Sequence, residues 1–369
     1  MKRLLVLIPE GFFVDCFVYS LDETLPDSLN EPCRLERNSR IKLRGRGGSD
    51  EGIMRLIDKF RPEAVAIRIL YGGEEFRKSE VYVSSLLGKL EKLIPQSPLH
   101  IPVAIKLIKM LGRTVPTPEI CLYFETAFFA DLPMQEQMYA LDEEMPGLPQ
   151  GSFGAVRRFG YHGLYHWAAS EKIAEHRNMR RILSVCLEPV PEVVAIYDGK
   201  PIMVTSGATP MEGLPGNTTC GEIDPGIILL IEEEKNMGPE MINEMLTRHG
   251  GLTAVAGEHV TIDEVFAGGD KYEAARNLFK YRVLLSCGSA IGLMNGVDAI
   301  VFSGRYINAA GKLSQWLIPK LVKPSMGTIK PLVFCMRDSV DRIIAETYCR
   351  SKSDPSHICS SGYSRVFAG

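Results

Sequence analysis

Short apolar runs bounded by Gly and Pro occur in two clusters along this chain, and each cluster is accompanied by long segments of helical spacing. That repeated arrangement restricts the fold more than any single residue does. In the first half, residues 4–8 (LLVLI) and 12–19 (FFVDCFVY) read as two strands paired across Pro9-Glu10-Gly11. Residues 62–70 (PEAVAIRIL) and 119–124 (EICLYF) read as further buried strands. Between them, residues 78–94 carry Val83, Leu86, Leu87, Leu90 and Leu93 at helix spacing, and a second helix is predicted over 103–110. In the second half a helix at 165–176 precedes strands at 181–187, 193–197 and 201–205; Asp198-Gly199 between the last two suits a tight hairpin turn. Helices at 226–234, 241–247 and 271–295 lead to a buried strand at 297–303 (VDAIVFS). A helix from Ala309 to near Pro319, a short strand at 332–335 and a last helix at 340–349 follow.

Strand pairs and hairpins mixed with crossover helices, twice over, predict a two-domain α/β protein with a cleft between the halves. Ligands of such sheets bind at strand ends. The domains are expected at 1–150 and 151–336, connected through a segment at 133–151 rich in Met, Pro and Glu. The helix near 337–350 is expected to pack back on the first domain, and the polar residues 351–369 to form a poorly ordered tail.

Composition excludes several classes. Hydrophobic residues make up 45%, charged residues 24%, and the formal net charge is −3, ordinary for a folded soluble protein and without the basic excess that nucleic acid asks for. Residues 41–49 (IKLRGRGGS) are locally basic and glycine-rich; a solvated loop is the plainer reading and a phosphate contact the alternative. Nine cysteines are scattered without a CxxC pair, which fits reduced thiols in a cytoplasmic protein better than a disulfide framework or a zinc site. The opening MKRLLVLIPEGF is interrupted by Pro9 and Glu10 too early for a signal peptide, and no run approaches the ~18 apolar residues of a membrane helix.

Polar chemistry concentrates in residues 157–166 (RRFGYHGLYH), which hold two arginines and two histidines with glycines near His162. Arginine offers a rigid fork suited to carboxylate or phosphate, histidine handles protons near neutral pH, and glycine lets backbone approach a ligand. The pattern reads either as an anion site or as a polar turn between strand and helix. Arg68 interrupts an apolar strand ahead of Tyr71-Gly72-Gly73. A buried charge is expensive without a partner, so Arg68 is at an edge position, in a structural ion pair, or a positioned anion ligand. Arg68, Glu125, His162 and Pro210 all fall near predicted strand ends or in loops, where they can converge.

These blocks resemble those of acetate kinases. RRFGYHGLYH is similar to the family's RRYGFHGTSH, AIRILYGGE (66–74) to GHRVVHGGE, and IPQSPLHIP (94–102) to PLAPLHNP. YFETAFFADLP (123–133) resembles VFDTAFHQTMP, TPMEGL with NTTCGEIDPG (209–226) resembles TPLEGL with GTRSGDIDPG, and VDAIVFSGRYINA (297–309) resembles VDALVFTAGIGEN. The blocks keep the family's order over most of the chain. The resemblance implies the fold shared by acetate and sugar kinases, heat-shock chaperones and actin: two ribonuclease-H-like (actin-type) α/β domains flanking a cleft, usually in a homodimer. It implies phosphoryl transfer between ATP, with Mg2+, and a short carboxylate to form an acyl phosphate, a reaction that depends on positioning and charge neutralisation. Carried over by position, Arg68 would hold the carboxylate and the transferring group, His162 would stabilise the transition state, and Glu125 stands where the family has an active-site Asp. His100 matches the histidine of PLHNP, and Leu70, Leu99, Tyr161 and Pro210 would line the acyl pocket.

Departures gather on the nucleotide side. The family's NAGSSS loop corresponds to Pro9-Glu10-Gly11-Phe12-Phe13-Val14, and its HLGNG loop to Cys186-Leu187-Glu188-Pro189-Val190. Pro189 and Pro191 have no N–H to offer a phosphate, and Glu10 and Glu188 add negative charge. GGIGEN becomes Gly304-Arg305-Tyr306-Ile307-Asn308-Ala309, so Asn308 replaces the metal-ligating Glu, and Thr219 replaces the second active-site arginine. Gly11, Gly221 and Gly304 are the glycines of these cofactor loops that remain. The sequence thus predicts an acetate-kinase-like protein with a small-carboxylate or acyl-phosphate pocket. A non-catalytic, carboxylate-binding or regulatory role is favoured over an active acyl kinase with an altered phosphoryl donor, with neither nucleic acid nor membrane as partner.

Overall fold

The structure, a computed structural model, describes residues 2–21, 32–43, 51–141, 157–174, 176, 179–235, 237–322 and 330–353. Residues 44–49 of the basic glycine-rich segment, residues 142–151 of the expected connection and the tail from 354 lie outside the described residues. The described chain forms two units, one of residues 2–130 with 339–353 and the other of 131–141 with 157–338.

In the first unit, β1 (Lys2–Glu10) and β2 (Phe13–Leu21) form an antiparallel hairpin in register from Lys2–Leu21 to Glu10–Phe13. Gly11 turns the chain with φ +60°, a conformation glycine adopts without strain. β3 (Cys33–Lys42) extends the meander, and α1 (Glu51–Phe60) leads to β4 (Ala64–Ile69), which lies parallel to β1. β5 (Glu80–Val81), α2 (Leu86–Lys92), α3 (Ile101–Leu111) and β6 (Glu119–Phe124) follow, β6 parallel to β4. The sheet order is β3-β2-β1-β4-β6-β5.

The helix expected over 78–94 is only α2. Val81, Tyr82 and Val83 are β-branched or aromatic and favour extended chain; Glu80 and Val81 pair with β6, and the Tyr82 N–H donates to the Ile120 carbonyl at 2.8 Å. β3 and α1 were not expected at all. β3 is an edge strand, almost wholly exposed and rich in Arg, so it lacks the apolar alternation that marks a half-buried strand.

The second unit opens with α4 (Met134–Gln137) and α5 (Gly163–Ala174). β7 (Arg181–Cys186), β8 (Glu192–Tyr197) and β9 (Lys200–Val204) form its antiparallel meander. Asp198 (φ +49°) and Gly199 (φ +76°) make the β8–β9 turn with both central residues left-handed, as the twist of a two-residue hairpin requires. Then come α6 (Pro225–Lys235), α7 (Pro239–Arg248), α8 (Gly251–Ala256), α9 (Ile262–Ala267) and α10 (Glu273–Met294). β10 (Ala299–Ser303), α11 (Ala310–Leu321) and β11 (Leu332–Cys335) complete it, with sheet order β11-β10-β7-β8-β9. Leu183, Val185, Val193, Ala195, Ile300 and Phe302 from the sheet pack with Phe279, Val283 and Cys287 of α10 in one core. α11 ends at Leu321, near Pro319 as expected. Pro319 falls in its last turn, where burial of Leu313 and Leu317 anchors the helix and only one backbone hydrogen bond is forgone.

The last helix, α12 (Val340–Ser353), belongs to the first unit and packs against β1, β2 and β3. Its Asp341 accepts a hydrogen bond from the Tyr19 hydroxyl at 2.6 Å. Each sheet is therefore an antiparallel meander (β3-β2-β1 and β9-β8-β7) prolonged by parallel strands (β4, β6 and β10, β11). This is the ribonuclease-H-like arrangement, present twice. No described helix is long and apolar enough to cross a membrane.

Candidate functional site

In the first unit, Arg68 lies on β4, a strand buried along its whole length, and Glu125 begins the turn that follows β6. Parallel pairing sets Arg68 beside Tyr123, two residues before Glu125. The side chains meet: the Arg68 Nε–H donates to Glu125 Oε1 in an ion pair whose partners are 5% and 0% exposed. The Gly72 N–H donates to Thr126 Oγ1 at 2.8 Å, tying the turn after β4 to the turn after β6. His100, at the N-terminus of α3, joins this group. Burial, and then the Arg68 charge, hold its imidazole below the usual histidine value. Leu70 is half-buried at the end of β4, whereas Leu99 is 75% exposed on the turn before His100. The structure thus pairs Arg68 with Glu125, sets His100 within range of the Arg68 charge and leaves Leu99 exposed.

In the second unit, the stretch at 157–166 leads into α5 and is organised by a residue that sequence reasoning passed over. Glu192, fully buried at the start of β8, accepts the backbone N–H groups of Tyr161 (3.1 Å) and His162 (3.2 Å) and lies 3.0 Å from His166 Nε2. His166 Nδ1 lies 2.8 Å from Ser184 Oγ on β7. The hydroxyl can donate there and leave Nε2–H for the carboxylate. Burial alone would raise the Glu192 pKa; the hydrogen bonds from His166 and Ser206 and the nearby His162 outweigh it and hold the carboxyl below its ordinary range. His162 Nε2 lies 2.8 Å from the Val190 carbonyl, while its Nδ1 is buried with no hydrogen-bond partner among the described residues. The Tyr161 hydroxyl donates to the Ala208 carbonyl at 2.6 Å, and Pro210, two residues further on, is exposed. Arg157 is buried over the Phe159 ring, 4.6 Å from its centroid.

The loops at the ends of β7 and β10 are joined to each other. Glu188 is buried; its Oε1 accepts the Arg305 N–H at 2.7 Å and its Oε2 accepts Arg305 Nε–H at 2.9 Å. Gly304 has φ +97°, and a Cβ there would lie 2.6–2.9 Å from Leu187 backbone atoms, so no other residue fits. Tyr306 takes an Asn217 amide hydrogen on its hydroxyl at 2.8 Å. Asn308 is exposed and donates to Asp263 Oδ2 at 3.0 Å, while Asp263 Oδ1 accepts the Ala309 N–H at 2.9 Å. Gly221 is buried with φ +73°, against Leu214 and Pro215 backbone; Thr219 Oγ1 is buried without a hydrogen-bond partner among the described residues. Gly11 belongs to the first unit, at its exposed β1–β2 turn. No group of three or more His, Cys, Asp or Glu able to hold a metal occurs among the described residues.

The only signal for Glu192 in the sequence was an acid opening an otherwise apolar strand. Arg68 is marked more strongly, as a cation inside an apolar strand with a turn of glycines after it.

Two ribonuclease-H-like units define the actin-like fold class. The Acetokinase family model matches residues 55–322, and the chain belongs to that family. Acetate kinase of Carboxydothermus hydrogenoformans is 33% identical over 260 residues, covering 68% of this chain and 63% of that protein. The matched part thus spans less than two thirds of that relative's length. Among solved structures, a propionate kinase from Francisella tularensis superposes with a TM-score of 0.77 at 24% identity, covering 94% of this chain and 98% of that one. Porphyromonas gingivalis acetate kinase gives 0.76 at 23% identity, with the same coverage. At these identities the structures speak for the fold alone.

Proposed function

We propose that this chain is an acetokinase-family protein that binds a small carboxylate or acyl phosphate and in which phosphoryl transfer from ATP is slow or absent. The observation that carries this reading is the buried Glu188 carboxylate. It occupies the Arg305 amide and guanidinium at the ends of β7 and β10, where a phosphate of a bound nucleotide would need donors. The donor set does not fit Mg-ATP. Pro189 and Pro191 lack N–H groups. Asn308, in the metal-side position, is engaged with Asp263, and Mg2+ prefers carboxylate and water oxygens.

The carboxylate side is better supplied. Arg68, with Glu125 and His100 beside it, offers a guanidinium for a ligand carboxylate, and Leu70 an apolar contact. His162, its backbone held by Glu192, offers a buried Nδ1; Tyr161 and Pro210 stand next to it on the chain or on the loop that Tyr161 grips. The second reading is an active acyl kinase with another phosphoryl donor, favoured by that unpartnered Nδ1. A homodimer is part of the proposal. α10 presents Tyr281, Leu285 and Leu293 to solvent alongside Gly288 and Gly292, with open space around both glycines, a face suited to close helix packing. A cytoplasmic location fits cysteines scattered without a CxxC pair.

The test is calorimetric titration with Mg-ATP beside an acyl-hydroxamate assay with acetate. Silence in both, together with a rise in thermal stability on adding acetate or acetyl phosphate, is expected. Micromolar ATP affinity with turnover would replace the proposal by the active reading.

A further inference from the structure

β7 and β10 are parallel neighbours, Cys186 opposite Ser303, so both chains leave the sheet at the same edge. Such an edge is where open α/β sheets take ligands. Here the exits are zipped together. The Leu187 N–H donates to the Ser303 carbonyl at 2.8 Å and the Tyr306 N–H to the Leu187 carbonyl at 2.9 Å. The next residues, Glu188 and Arg305, then face each other through two hydrogen bonds. One donor is a backbone amide and the other a guanidinium N–H; each takes one oxygen of the same carboxylate. Two convergent donors, one of them cationic, are what an oxyanion requires. A carboxylate and a phosphoryl group present oxygens to them in a similar way.

Exposure within the pair is uneven. The Glu188 side chain is 3% exposed and the Arg305 side chain 41%. The anion is inside and the cation reaches solvent, so an added anion can approach Arg305 but finds its inner donors occupied. The occupant is tethered. Pro189 follows it with a fixed φ, and the Pro189 carbonyl accepts the Asn217 N–H at 2.8 Å, which pins the turn. A tethered group competes at a high effective concentration, so free anions at ordinary concentrations do not displace it.

We infer that the Arg305 amide and guanidinium form an oxyanion site for phosphate or a terminal phosphoryl group, filled in this chain by its own Glu188 carboxylate. The inference rests on the reading above that this loop is closed to nucleotide. Its test is separate, because it measures gain of anion binding in a variant rather than ATP turnover by the native chain. Full-length protein, Glu188→Ala, Glu188→Gln and the double variant Glu188→Ala/Arg305→Ala are titrated with inorganic phosphate and, in a second arm, with Mg-ATP. Thermal unfolding is followed in parallel.

Glu188→Ala is expected to bind phosphate at least about tenfold more tightly than the native chain, the scale of one charge-assisted contact released, and to regain thermal stability as phosphate is added. The double variant is expected to be as indifferent as the native chain. A gain with phosphate alone identifies a lone oxyanion as the ligand; a gain only with Mg-ATP identifies a nucleotide's phosphoryl end; either sustains the site. Equal phosphate and ATP affinity in native chain and Glu188→Ala overturns it, as does a gain that survives loss of Arg305. If Glu188→Ala does not fold, Glu188→Gln decides, since it keeps an acceptor for Arg305 but not the charge: a weaker gain of the same kind supports the site and no gain overturns it.

Discussion

Two Arg–Glu pairs, one in each unit, invite comparison. Arg68–Glu125 has both partners buried, at 5% and 0% exposure, whereas Glu188–Arg305 has a buried acid and a cation 41% exposed. In the first pair both charges are shut off from water, so losing either removes an interaction that solvent cannot replace. In the second, Arg305 can recover water, and the dependence runs mainly from Glu188 to Arg305. The same two residue types therefore make a costly internal joint in one place and a releasable contact in the other. Burial, more than the identity of the partners, decides which.

The largest expected effect follows from the first pair. Arg68→Ala or Glu125→Ala removes one member of a buried ion pair and should lower unfolding stability by about 3–5 kcal/mol. Replacing both with apolar residues of similar volume, Arg68→Met with Glu125→Leu, should recover most of that loss. Urea denaturation of the three proteins checks it. A double variant as unstable as the singles would show that the pair is not an isolated charge balance.

Glu192 comes next. Glu192→Ala takes the acceptor from two backbone N–H groups and from His166 Nε2 in the interior, for about 3 kcal/mol, and Glu192→Gln should cost roughly half as much because an acceptor oxygen remains. The pH dependence has a definite sign. The folded carboxyl titrates below its usual value, so its contribution is present in full above the unfolded carboxylate value and is lost as pH falls through the lower folded value. Acid unfolding should therefore begin at higher pH in Glu192→Gln than in the native chain. Coincident acid transitions would remove Glu192 from the account.

The half-exposed pair should matter less to stability. Glu188→Ala is expected to cost about 1 kcal/mol, since its partner can turn to solvent, against the larger loss at Arg68. Comparable losses at Glu188 and Glu125, measured in the same denaturant series, would erase the distinction between the two pairs.

How much of this could be read beforehand depended on how local each cause was. The β1–β2 and β8–β9 hairpins were legible because their turns and apolar runs lie within a few residues, and β10 because it is apolar throughout. β3 was not: its placement comes from pairing with β2, and its charged residues face solvent at a sheet edge. The RRFGYHG stretch was legible as polar chemistry. Its organising acid was not, because Glu192 lies 30 residues from His162 and 26 from His166 in the chain. Glu188 was legible as a misplaced negative charge, but its answering cation is 117 residues away. Arg68 announced that it needed a partner without saying which carboxylate it would find.

The smallest effect sharpens the comparison from the side of the buried pair. His100 titrates below the ordinary histidine value because burial, and then the Arg68 charge, disfavour its protonated form. The unfolded chain therefore takes up this proton first as pH falls. Above about pH 6.5, the unfolded histidine value, His100 is neutral in both states and contributes no slope. Below it, stability should decline until the folded imidazole also protonates. His100→Gln should remove that part of the slope, and combining it with the apolar double variant at 68 and 125 should show whether Arg68 contributes beyond burial. Thermal unfolding between pH 5 and 7.5, about a unit either side of that value, gives the readout. An unchanged slope in His100→Gln would mean that the imidazole beside Arg68 is hydrated enough to titrate normally, and that the Arg68–Glu125 joint is less sealed than its exposures imply.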